Sequence, residues 1–175
     1  MLTPPTGRRH PTRNALVDRS LYDPGMGEFT PPDDLLFNRA PVPDPEAYAQ
    51  EVGCASWLYL VGPEFAEMDG GTTYAQVEAA VPVAQNVISD PPRVLDLDLA
   101  RQHVAALDEL PRPTLVTCRA GPRASAVVYM YAGLKSGASP EDVIAAVERD
   151  GVSCAASDEY KAWIADSITA LRSDS

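Results

Sequence analysis

From residue 44 onward the chain alternates between short continuous apolar runs and stretches whose apolar residues recur every three to four positions. In "DPEAYAQEVG" the pattern predicts a helix: Asp44 caps it, Pro45 fits the first turn and Gly53 closes it. "SWLYLVG" reads as a buried strand, "TTYAQVEAAV" as a short helix and "AQNVIS" as a second strand. In "LDLDLARQHVAALDELPRP", Leu99, His103, Leu107 and Leu110 share one helical face, which predicts a packed histidine. "TLVTC" is a strand, and "ASAVVYMYAGL" is apolar nearly all round, so its helix is buried on most sides. "GASPEDVIAAVERDG" opens with Ser139 as cap, Pro140 at the first position and Glu141 and Asp142 in the positive first turn, and Gly151 ends it. "SDEYKAWIADSITALRS" supplies a last amphipathic helix anchored by Trp163 and Ile164. This alternation predicts an α/β fold of three layers, a mostly parallel central sheet flanked by helices.

Nine of the seventeen prolines fall before residue 46. Proline fixes its backbone angle and lacks an N–H, so this part should be extended and irregular, with one short strand at "LLFN". The expected division is a Pro-rich extended or disordered segment over residues 1–33 and one α/β domain over 34–175. The opening "MLTPPTGRRHPTRN" has no apolar core of a signal peptide. Its arginines fit an organellar transit segment less well than a disordered tail, and the expected location is the cytoplasm.

Charge and rare residues narrow the function classes. With 14 basic against 25 acidic residues and a net charge of −11, the chain is an ordinary acidic soluble protein, which argues against nucleic-acid binding. No apolar run reaches the ~18–20 residues that cross a bilayer, so no membrane partner is expected. A protein partner, if there is one, would carry basic patches. Cys54, Cys118 and Cys154 form no CxxC and are expected as reduced thiols. Two histidines cannot build a His-rich zinc site, and no cofactor or metal is expected.

The candidate chemistry lies in "TLVTCRAGPRASAVVYMYAGLKSG", where Cys118 stands between a buried strand and a buried helix. Ligands in open α/β sheets bind at such strand ends. A helix N-terminus offers unpaired N–H groups and a positive dipole end, which attract anions and favour thiolate over thiol. Gly121 lets the loop curl with its N–H groups inward, and Arg123 offers a planar fork for an oxyanion. A lone cysteine ending a strand is most often a packed hydrophobe. Two arginines, a mid-loop glycine and a buried helix in its company point instead to a reactive, anion-binding cysteine.

"CRAGPR" resembles the C-R-x-G-x-R active loop of rhodanese-type sulfurtransferases, with Cys118 as the sulfur acceptor and Arg119, Gly121 and Arg123 in the matching places. From about residue 34 to 152 the chain is more similar to the phosphatase-like domain of the beta-lactamase-hydrolase-like family, relatives of dual-specificity phosphatases that carry this short loop. There "PDPEAYAQEVGCASWLYLVGPE" takes the place of the first helix and strand, and "PRPTLVTCRAGPRAS" that of the loop strand. The upstream rhodanese signatures, Asp-x-Arg and Gly-His-Ile-Pro-Gly-Ala, are missing, which favours the phosphatase-like scaffold. The resemblance implies that Cys118 and Arg123 carry the chemistry, while Arg119, Ala120, Gly121 and Ser125 bind the substrate. It also implies a general-acid role for Asp90 in "VISDPP", although "SDPP" is equally plain turn chemistry.

Two departures from the phosphatase pattern stand out. Thr117 replaces the usual histidine before the cysteine, and four residues rather than five separate Cys118 from Arg123. In a phosphatase-length register Ala124 takes the arginine position and Ser125 the hydroxyl position. Phosphoryl transfer needs donors around three equatorial oxygens, whereas Pro122 leaves N–H groups only at 119, 120 and 121 between Cys118 and Arg123. Sulfur transfer needs less, a thiolate and a positive site for an anionic donor. The expected function is therefore a cysteine-thiolate sulfurtransferase on a phosphatase-like scaffold, acting on a small anion such as thiosulfate, a persulfide or a phosphate ester. The alternatives are a phosphatase-like hydrolase working through a phosphocysteine and a non-catalytic anion- or protein-binding module. Cys154 is a candidate to resolve an oxidised Cys118, but packing explains it and Cys54 as well.

Overall fold

The structure, a computed structural model, describes residues 28–68, 70–90 and 94–174. In chain order it contains β1 (Leu35–Phe37), α1 (Pro45–Val52), β2 (Ser56–Val61), α2 (Tyr74–Ala80), β3 (Val83–Asp90) and α3 (Leu97–Glu109). Then follow β4 (Thr114–Thr117), α4 (Pro122–Ser136), α5 (Pro140–Asp150) and α6 (Asp158–Ser173). Short 3-10 turns lie at Pro63–Glu67 and Ser153–Ala156. The periodicity of the sequence did not mark these two turns, which are too short to carry one.

The four strands form one parallel sheet in the order β1-β4-β2-β3. The expected α/β architecture, a parallel sheet flanked by helices, is therefore present. Every residue of β2 and of β4 is buried, which is why both read as continuous apolar runs. Ser56 and Thr114, the polar residues that start the two strands, bond each other across the pair at 3.0 Å, and Ser56 also donates to the Pro111 carbonyl.

Helix ends follow their local chemistry. Asp44 accepts from the Ala47 N–H and Ser139 from the Asp142 N–H, while Gly53 and Gly151 close their helices in the left-handed region. Thr73 and Gln76 form a reciprocal capping box on α2, and Asp96 caps α3 through the Leu99 N–H. Helix α4 is buried without a break from Arg123 to Gly133. It packs on the sheet and against α3, α5 and α6, so no side of it faces water and its sequence shows no polar stripe.

The described chain joins the core earlier than residue 34. Phe29 is buried against Tyr129, and its carbonyl accepts from Arg149 Nη2 at 2.8 Å. The remainder of the 1–33 segment, with the tail arginines Arg8, Arg9, Arg13 and Arg19, lies outside the described residues up to residue 27. Among the described residues no helix is long and apolar enough to cross a membrane.

Candidate functional site

Cys118 is the first residue beyond β4, in the middle of the sheet, where the parallel ladder ends and the chain turns into α4. Its neighbours fix it from both sides. Thr117 accepts from the Trp57 indole N–H at 2.8 Å across the β2–β4 pair, with both residues buried. On the β1 side, the Cys118 N–H donates to Asn38 Oδ1 at 3.2 Å, and Asn38 Nδ2 donates back to the Cys118 carbonyl at 2.9 Å.

The loop then curls at Gly121, whose φ of 117° and ψ of −27° belong to a region that side-chain-bearing residues avoid. A Cβ there would run into the Asn38 carbonyl oxygen and crowd Arg39 Cα and Ser153 Oγ. This conformation turns the Gly121 N–H onto Cys118 Sγ at 3.1 Å, and the Ala124 N–H reaches the same sulfur at 3.4 Å. The first bond of the helix runs from the Ser125 N–H to the Gly121 carbonyl, so these N–H groups are not spent inside α4. Two backbone donors aimed at one sulfur stabilise negative charge on it. The residue is 9% exposed and counts among the buried core.

Arg119 and Ala120 are exposed at the mouth of the loop. The Arg119 guanidinium stands 5.4 Å from the centre of the Phe65 ring, so a cation leans on the turn after β2 beside the loop.

Arg123 is the second residue of α4. It is 1% exposed, donates from Nη1 to the Val94 carbonyl at 2.6 Å, and lies 5.7 Å from the Tyr160 ring. Its Nε and Nη2 have no hydrogen-bond partner among the described residues. Val94 itself donates to the Ser89 carbonyl at 3.1 Å, so Arg123 grips the far end of the connection that leaves β3. His103 is beside it, fully buried and edge-on to Trp163. Burial first, and then the charge of Arg123, push the His103 pKa down to about 3. The neutral imidazole is part of the packing, as its place on the apolar face of α3 predicts.

Ser125 does not bond the sulfur. Fully buried, its hydroxyl donates to the Pro122 carbonyl at 2.9 Å and accepts from the Cys154 N–H at 3.3 Å. It thereby ties the start of α4 to the 3-10 turn at Ser153–Ala156. Burial pushes the Cys154 thiol up, which makes it a poor nucleophile, and burial does the same to Cys54. Asp90 ends β3 opposite Val61, two strands from β4. Its side chain and residues 91–93 lie outside the described residues. No three His, Cys, Asp or Glu side chains among the described residues come together as a metal site.

The structure thus brings Cys118, Arg119, Ala120 and Gly121 into one loop, with Arg123 and Ser125 buried at the start of α4, which follows it. Sequence reasoning missed Asn38 and Val94. A buried asparagine after an apolar run is the one available signal for the first, and a backbone carbonyl leaves none for the second.

No family model matches the sequence, and no curated protein is similar to it. Among solved structures the chain is similar to the crystal structure of TpbA from P. aeruginosa, with 18% identity and a TM-score of 0.53 over 79% of this chain and 85% of that one. At that identity the likeness speaks for the fold alone, a parallel four-stranded sheet flanked by helices that is consistent with a phosphatase-like scaffold.

Proposed function

We propose that this protein is a cysteine-thiolate sulfurtransferase built on a phosphatase-like scaffold. The observation that carries the reading is the pair of N–H donors from Gly121 and Ala124 on Cys118 Sγ, beside an exposed Arg119. Donors concentrated on Sγ suit a reaction that begins and ends with the Cys118 thiolate. A phosphoryl transition state needs donors around three oxygens. Here Pro122 supplies none, Gly121 is engaged with the sulfur and the guanidinium is buried.

In the first half-reaction the Cys118 thiolate attacks the sulfane sulfur of thiosulfate or of a low-molecular-weight persulfide. The S–S bond breaks, and sulfite or a thiolate leaves with the electron pair. In the second, cyanide or a thiolate takes the terminal sulfur from the Cys118 persulfide and the Cys118 thiolate returns. Arg119 draws the anionic donor to the mouth, and the free loop N–H groups receive its oxygens. No external oxidant or metal enters the balance.

The phosphatase-like fold favours a second reading. Cys118 would attack the phosphorus of a phosphate ester, Asp90 would protonate the departing oxygen, and water would hydrolyse the phosphocysteine. Binding of sulfate or a phosphopeptide without turnover would mark the third reading, a non-catalytic module.

Intact-protein mass spectrometry after incubation with thiosulfate tests the proposal. The expected result is a gain of one sulfur atom, removed by cyanide and absent from Cys118→Ser. Full sulfur transfer by Cys118→Ser would end it. No gain in the native chain, together with release of phosphate from an activated aryl phosphate that Asp90→Asn slows, would move the assignment to the hydrolase.

A further inference from the structure

We infer that Asn38 is a positioning residue for Cys118, bracing both ends of the reactive loop from 80 residues away in sequence. The inference rests on the reading of Cys118 as the reacting sulfur.

Strand β1 is three residues long, and its last ladder pair is Phe37 with Val116. Past that point the backbone groups of Cys118 would face the end of β1 with no strand left to pair with. The Asn38 side chain replaces the missing strand. Its amide oxygen accepts from the Cys118 N–H and its amide nitrogen donates to the Cys118 carbonyl, at 3.2 and 2.9 Å. The same nitrogen donates to the Ala40 carbonyl at 3.1 Å, so the carboxamide's orientation is fixed by one acceptor role and two donor roles.

The main chain of Asn38 meets the other end of the loop. Its carbonyl oxygen is the atom that a Cβ on Gly121 would strike. One residue, 1% exposed, therefore holds the peptide groups of Cys118 and limits how far Gly121 can move. Those two points set the direction of Sγ and of the Gly121 N–H that meets it. A carboxamide is the side chain with a donor and an acceptor at this spacing and no charge. Aspartate keeps the shape but, when ionised, presents only acceptors to the Cys118 carbonyl. Burial beside a carbonyl raises the pKa of such a carboxyl, and its protonated form regains one donor and one acceptor.

The test uses the full chain and two haloacetates, with the alkylated cysteine located by peptide mass spectrometry. Iodoacetate reports the anion-receiving loop and iodoacetamide reports the sulfur alone. Native protein is expected to react faster with iodoacetate at Cys118. Asn38→Ala should lower the ratio of the two rates by about tenfold, because small misplacements of reacting groups carry penalties of this order. Asn38→Asp should match Asn38→Ala at about pH 8 and, measured against native protein at each pH, recover toward it by about pH 6. A merely structural residue would give no such recovery. A native ratio in Asn38→Ala, or equal losses in both variants at every pH, overturns the inference. If the native protein shows no preference for iodoacetate, the anion-binding reading fails. The inference is then decided on the iodoacetamide rate, where a several-fold change in Asn38→Ala sustains it and an unchanged rate overturns it.

Discussion

Acidifying the protein from about pH 7.5 to about pH 5 should cost it about 2 kcal/mol of stability through one side chain, His103. The ring is fully buried on α3, with no hydrogen-bond partner for either nitrogen among the described residues. Burial and the neighbouring Arg123 charge hold its folded-state pKa at about 3, below the ordinary 6.5. The unfolded chain therefore takes up a proton as pH falls through about 6.5, and the native state resists until about 3. A base with a depressed folded pKa contributes stability that is complete above the unfolded value and is lost on acidification. The slope approaches about 1.4 kcal/mol per pH unit, and about 1.5 units lie between 6.5 and pH 5. Asp108 and Asp150 also titrate differently in the fold, but hydrogen bonds and neighbouring cations lower their pKa values, so their losses come at lower pH.

Urea unfolding of native protein and of His103→Leu, at both pH values, isolates this contribution. The native midpoint should fall with acid while the slope of the transition is kept, and the variant should lose most of that fall. At about pH 7.5 the substitution itself should cost little. It removes two unpartnered polar atoms, each worth about 1–3 kcal/mol, while giving up the ring contact with Trp163. Equal acid losses in both proteins would refute the assignment of the pH dependence to His103.

Three further outcomes follow from single contacts. Gly121→Ala forces a Cβ onto φ 117° against the Asn38 carbonyl, at about 3 kcal/mol, which calorimetry should read as a melting temperature lowered by about 6–12 °C. Trp57→Phe leaves the buried Thr117 hydroxyl without the indole donor, and urea unfolding should show a loss of about 1–3 kcal/mol. Asp96→Ala removes the cap from α3 and should cost about 1 kcal/mol in the same assay, with Cys118 alkylation unchanged.

Much of the fold was legible because helices such as α1 and α5 carry their own punctuation. Asp44, Ser139, Gly53 and Gly151 stand at helix ends where local chemistry alone puts them, and β2 and β4 read as buried because both faces are covered. The strand order was not legible. Placing β4 between β1 and β2 depends on packing across the sheet, and the apolar run "TLVT" carries no mark of its neighbours. The site divides the same way. Cys118 and Gly121 follow from a strand-to-helix junction, whereas Asn38 joins them only through the β1–β4 pairing that local pattern does not contain.

The offset of Arg123 by one residue from the phosphatase spacing therefore means more than a smaller loop. Successive residues of a helix point about 100° apart around its axis. At the start of α4 the residue six beyond Cys118 is Ala124, which supplies an N–H to the sulfur and no side-chain donor. The guanidinium, one position earlier, is buried beside Val94, His103 and Tyr160, with Nη1 on the Val94 carbonyl and Nε and Nη2 without a partner among the described residues. Arg119 is exposed at the loop, beside a sulfur that already holds two backbone N–H groups. Two donors on the sulfur are the feature on which the proposed sulfur transfer rests.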